Sequence, residues 1–195
     1  MFSIFLPPVL YVLKVILPAW IICRLLRMIY QQRKKNVVNL NKEILLFLFI
    51  AYIGSVVAVT IVPATISGFN DSNATRLNIV PIINTVKEYN LSLAEPDGNA
   101  TRAAIENITG NLMLFIPMGI FLPLLVKKID SLKKLLITCL CCSFIIEMIQ
   151  FFLRSFGTFR TADIDDVILN TVSGLLGWLI YATIIRRYCY RLIKG

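Results

Sequence analysis

Apolar blocks about 20 residues long, separated by short charged clusters, run the length of this chain. A helix of that length rises about 30 Å, the thickness of a bilayer's hydrocarbon core. No other feature constrains the fold as much. Helices satisfy every backbone hydrogen bond internally, so they are the natural structure for such blocks in lipid. Five spans are expected, near residues 4–23, 44–64, 108–126, 132–153 and 166–185. The first holds Lys14 and Pro7, Pro8 and Pro18, so a late start or a kink is expected there. Composition agrees: 57% of residues are hydrophobic and the mean hydropathy is +0.77, above soluble averages. The predicted fold is an all-α, polytopic membrane helix bundle, read as a single membrane domain over 1–195. The N-terminal "MFSIFLPPVL" lacks a basic leader region and runs into a full-length apolar block, so it reads as a span and not as a cleaved signal.

The net charge of +9 is better explained by topology than by nucleic acid, because the basic residues sit in clusters between spans. Arg24, Arg27, Arg33, Lys34, Lys35 and Lys42 follow the first span. Lys127, Lys128, Lys133 and Lys134 follow the third, and Arg186, Arg187, Arg191 and Lys194 follow the fifth. With five spans all three clusters can face the cytoplasm, which places the N-terminus outside and the C-terminus inside. Eight of the 11 acidic residues then fall in the two outer segments. The longer one, 65–107, is expected as an extracytoplasmic loop. Its part "RLNIVPIINTVKEYN" suits the membrane surface or a tuck into the bundle, and "LAEPDGNATRAA" reads as a flexible loop. The five cysteines lie in or beside apolar blocks with no His to complete a zinc site, so they read as small buried hydrophobes.

Polar residues inside spans are costly and mark functional candidates. In the fourth span Ser143, Glu147, Gln150 and Arg154 recur at four, three and four residues, on one helical face. In the fifth, Asp163, Asp166, Asn170, Ser173, Gly174 and Gly177 form a stripe that is polar at the outer end and small below, where helices can approach closely. In the third, Asn107, Gly110 and Asn111 lie near the outer start and Pro117 lies mid-span, freeing carbonyls that need partners from neighbouring helices or water. All three stripes place their polar groups at one expected depth, which points to a single outer-leaflet polar pocket. Asn111, Glu147, Gln150, Arg160, Asp163, Asp166 and Asn170 are its expected lining, with Lys14 as a counter-charge to Glu147. Plainer roles compete: polar side chains hold membrane helices together, Asp163 suits a helix N-cap, and Arg160 suits a pair with it. Asp165 falls off the stripe and is expected to be solvated and dispensable.

The stretches "NLMLFIPMG", "SFIIEMIQ" and "RTADIDDVILNTVSGLLGW", with Asn78 and Pro81 upstream, resemble the VanZ-like family over about residues 76–178. Ile82 and Met118 stand where that family usually carries Phe, a change of packing and not of chemistry. The resemblance implies a multi-pass bacterial plasma-membrane protein, from Gram-positive cell-envelope biology, that lowers sensitivity to teicoplanin, a lipoglycopeptide antibiotic. It adds Asn78 to the candidate site. Expected partners are the bilayer and either a lipid-linked envelope precursor or the drug; no nucleic acid and no cofactor is expected. The alternative is a membrane enzyme acting on an envelope lipid or polyprenyl-linked substrate. Acids would serve it as general acid and base, or Asp163, Asp165, Asp166 and Glu147 would hold a divalent metal such as Mg²⁺ or Ca²⁺. A small transporter is a third reading, disfavoured by the lack of paired interrupted helices.

Overall fold

The computed structural model describes residues 2–33, 39–61, 99–154 and 163–188. Six α-helices account for nearly all of them: α1 (Phe2–Arg33), α2 (Leu40–Thr60), α3 (Asn99–Leu114), α4 (Ile116–Leu125), α5 (Leu132–Arg154) and α6 (Ile164–Ile180). A π-helical turn, Tyr181–Ile185, continues α6. Four stretches are long and apolar enough to cross a membrane: Leu40–Thr60, Ile105–Leu125 across α3 and α4, Leu132–Leu153, and Ile164–Tyr188. These are the expected second to fifth spans with shifted ends, and the expected first span lies within α1.

Residues 99–104, expected to be loop, are helical. Ala100, Arg102, Ala103 and Ala104 are strong helix formers, and their propensity outweighs the polar composition that suggested a loop. Residues 93–98 and the "RLNIVPIINTVKEYN" segment lie outside the described residues.

The chain divides into two compact units, Met1–Pro63 with Ala182–Gly195, and Ala64–Tyr181. In the first, α1 packs on α2. Trp20 stacks on Phe47 at 5.2 Å between ring centroids, and Arg24 bonds Glu43 at 2.7 Å while lying 5.7 Å from the Trp20 ring centre. The contacts 20 to 47 and 24 to 43 run in opposite sequence directions, so the two helices are antiparallel. Asn39 caps α2 by accepting from the Lys42 backbone N–H at 3.2 Å, satisfying one of the donors that every helix start leaves open.

The second unit is organised around α6, which packs against α3, α4 and α5. Its contacts with α5 pair Ser143 with Asn170 and Glu147 with Asp163, an antiparallel arrangement. Its contacts with α3 and α4 pair Asn111 with Asp166 and Phe115 with Ser173, a parallel one. The third and fifth spans therefore share a direction and the fourth reverses it, as consecutive crossings of a membrane require.

Glycine sets how closely α4 and α6 approach. A Cβ on Gly119 would overlap the Gly174 carbonyl oxygen, and one on Gly177 would overlap that of Ile116 and lie 3.0 Å from the Gly119 Cα. Cys139 of α5, fully buried, fills the space over Gly174. Phe115, Met118, Leu122, Leu135 and Val167 complete the core. The apolar side chains of Phe144, Ile145, Phe152, Ile168 and Leu176 point outward, the pattern of a lipid-facing surface. Among the cysteines, Cys139 is buried as expected, whereas Cys23 and Cys141 are exposed on the outward faces.

Candidate functional site

The fifth-span stripe begins at the N-terminus of α6, where local chemistry explains most of the charge. Asp163 is the N-cap: its backbone is extended and its Oδ1 accepts from the Asp165 N–H at 2.9 Å. Asp165 and Asp166 occupy the first turn, where carboxylates meet the positive end of the helix dipole. The expected capping role of Asp163 is thus present.

What local chemistry does not explain is how the other helices reach this turn. Glu147 comes from α5, is only 6% exposed, and accepts the Asp163 backbone N–H on Oε2 at 3.0 Å. A capping box satisfies that N–H from within its own helix, through the residue three positions on. Here a carboxylate from a neighbouring helix does so. The residue at that position in α6 is Asp166, and it turns instead to α3, where the Asn111 Nδ2 donates to its Oδ1.

One turn deeper, the Asn170 Nδ2 donates to the Ser143 hydroxyl at 2.9 Å. Below that, Ser173 accepts the Phe115 backbone N–H at 2.9 Å. The chain breaks between α3 and α4 at Phe115, two residues before Pro117, and there a hydroxyl on α6 accepts a backbone N–H. The group that Pro117 itself leaves without a donor is the Met113 carbonyl, which a Ser173 oxygen accepting an N–H does not serve. The sequence marks the break; it does not mark Ser173, which reads only as one of several small residues.

The result is a ladder of polar contacts on α6, with α5 on one side and α3–α4 on the other. Of the expected site residues it contains Asn111, Glu147, Asp163, Asp166 and Asn170. Gln150, one turn from Glu147 towards the end of α5, is 2% exposed. Asn78 and Arg160 lie outside the described residues. Asn107 and Gly110 are exposed, and Lys14 belongs to the other unit and is exposed along α1.

Asp165 requires a correction. It is 8% exposed, more deeply buried than Asp163 or Asp166. Periodicity assigns a side chain to a helix face but cannot specify what covers the helix's first turn, and burial there is decided by tertiary neighbours. The expectation of a solvated Asp165 does not hold.

Among the described residues, no three His, Cys, Asp or Glu side chains converge as a metal-binding group. Glu147, Asp163 and Asp166 are engaged instead by backbone and amide donors.

The pattern of the VanZ/LLP1 family matches residues 49–186. This chain belongs to the VanZ/LLP1 family. The matched range contains the whole polar ladder, the Gly119, Gly174 and Gly177 contacts, and the α3–α4 break. Among curated proteins, the chain is similar to Protein VanZ of Enterococcus faecium, 34% identical over 107 residues, which is 54% of this chain and 60% of that protein. The match therefore spans less than two thirds of the relative's length. No solved structure matches. Family membership and the four apolar helices make this VanZ/LLP1 protein a multi-pass bacterial membrane protein.

Proposed function

We propose that this VanZ-like membrane protein lowers sensitivity to teicoplanin by engaging a lipid-linked envelope component, or the drug itself, at the start of α6. The observation that carries this reading is the arrival of polar side chains from separate helices at one turn: the buried Glu147 on Asp163 and the half-buried Asn111 on Asp166. Burying Glu147 inside a membrane protein has a desolvation cost that mere helix adhesion, at about 0.6 kcal/mol per polar contact, offsets poorly. The distribution of Lys and Arg supports a topology with the C-terminus in the cytoplasm and the start of α6 at the outer surface, where both a lipid-anchored drug and an envelope precursor present their headgroups. Asn78 and Arg160 join the site in this reading.

The test is expression in a teicoplanin-sensitive host. The wild-type chain raises the inhibitory concentration, and Glu147→Ala and Asp166→Ala, present in the membrane at wild-type levels, lose that gain. Unchanged resistance in those variants would sink the proposal.

A further inference from the structure

Asn170 is the member of the ladder whose hydrogen-bonding capacity is left incomplete by the protein. Its side chain is 2% exposed and its Nδ2 donates to Ser143, but among the described residues no group donates to its Oδ1. A carbonyl oxygen removed from water without a donor is costly, and surrounding hydrocarbon supplies none. Rotating the amide by half a turn does not help. The Ser143 hydroxyl would then donate to Oδ1, and Nδ2 would lose its acceptor.

Two fully buried hydroxyls belong to the same ladder. Ser143 accepts from Asn170 and Ser173 accepts from Phe115, so each retains its own proton to donate. Ser173 is three residues from Asn170 and lies on the same face of α6. The missing partner must therefore donate to a carbonyl oxygen while accepting from hydroxyls. An ammonium group donates only, a metal cation would satisfy the oxygen but leave the hydroxyl protons without an acceptor, and an apolar group does neither.

We infer that one water molecule is held between α5 and α6 at this level, donating to Asn170 Oδ1 and accepting from Ser143 or Ser173. Buried waters typically make about three hydrogen bonds, and these three side chains provide that number. The site lies one turn below Glu147 on α5 and one turn below Asp166 on α6. It belongs to the fold itself and does not depend on what the outer groups bind.

The test uses the full chain purified in detergent with no drug or lipid precursor added, so that a ligand hydroxyl cannot stand in for water. A structure at a resolution that shows ordered water will contain a solvent peak about 3 Å from Asn170 Oδ1, with a second contact to Ser143 or Ser173 Oγ. In NMR spectra the Asn170 side-chain amide protons will show cross-peaks to water. Asn170→Leu will lower the melting temperature, because it strips a water of its acceptor. A protein donor on Oδ1, or an oxygen packed only against carbon together with a raised melting temperature in Asn170→Leu, would overturn the inference. If Asn170→Leu does not fold, the structure and the amide cross-peaks decide it.

Discussion

Replacing Gly177 with Ala sets two known effects against each other, and the structure determines which prevails. In an exposed helix interior, Gly to Ala gains about 1 kcal/mol from backbone propensity. At Gly177 the added Cβ would overlap the Ile116 carbonyl oxygen and come within 3.0 Å of the Gly119 Cα. Both obstacles are backbone, which cannot rotate aside, so α4 and α6 must separate and loosen the contacts around Phe115 and Met118. Overpacking of this kind costs about 1–3 kcal/mol, and here the upper half of that range is expected. The net loss is then about 1–2 kcal/mol, a fall of roughly 2–8 °C in melting temperature for a chain of this size. Gly110 is the control. It lies in α3 with no atom within 4 Å of a built Cβ, so Gly110→Ala is expected to hold or raise the melting temperature by propensity alone. The assay is thermal unfolding of both variants in one detergent, followed by intrinsic fluorescence. If Gly177→Ala is as stable as wild type while Gly110→Ala behaves as expected, the close approach of α4 and α6 is refuted.

Gly174→Ala is expected to destabilise through the Cys139 Sγ, 2.5 Å from the new Cβ. Adding Cys139→Ala removes the obstacle, and thermal melts of the single and double variants will show positive coupling of about 0.5–3 kcal/mol. Asp163→Ala, which removes the α6 N-cap, will lower stability by about 0.5–2 kcal/mol, and Asp163→Ser or Asp163→Asn will recover most of it. Glu147→Leu will cost more than Glu147→Gln in the same melts, since the Gln oxygen can still accept the Asp163 N–H. The Lys134 ammonium, bonded at 2.7 Å, holds the Asp130 carboxyl below its ordinary pKa. A depressed carboxyl favours the folded state above the ordinary carboxylate range and loses that contribution as pH falls through its lowered value. The pair is solvent-exposed, so Asp130→Asn will leave the neutral-pH melting temperature nearly unchanged, with any small effect vanishing in high salt.

Much of the bundle is legible in the apolar blocks, because span length is dictated by the bilayer and not by tertiary detail. The three-and-four rhythm likewise identified Glu147, Gln150 and Asn170, which are buried as a polar stripe facing neighbouring helices must be. The failures share a cause. The helical start of α3 is obscured because polar composition reads as loop, while Ala100, Arg102, Ala103 and Ala104 favour helix. Asp165 was misplaced because helical phase says nothing of what covers a first turn. The Ser173 bond to Phe115 was hidden because no pattern within one helix shows which neighbour's hydroxyl meets a backbone N–H on another. Pairings between helices are tertiary facts, and single-helix periodicity supplies only their candidates.

The central claim is that the turn opening α6 binds an envelope ligand, and reconstituted binding tests it most directly. The purified chain is placed in vesicles and titrated with fluorescent teicoplanin, or with a lipid-linked envelope precursor in the bilayer. Asp166→Asn and Phe144→Ala are compared with wild type. Asp166 lies in the ladder and Phe144 on the exposed apolar face of α5. The account expects saturable binding of one of these ligands by wild type and Phe144→Ala, and its loss in Asp166→Asn. Equal binding by all three proteins, or by none, would contradict it.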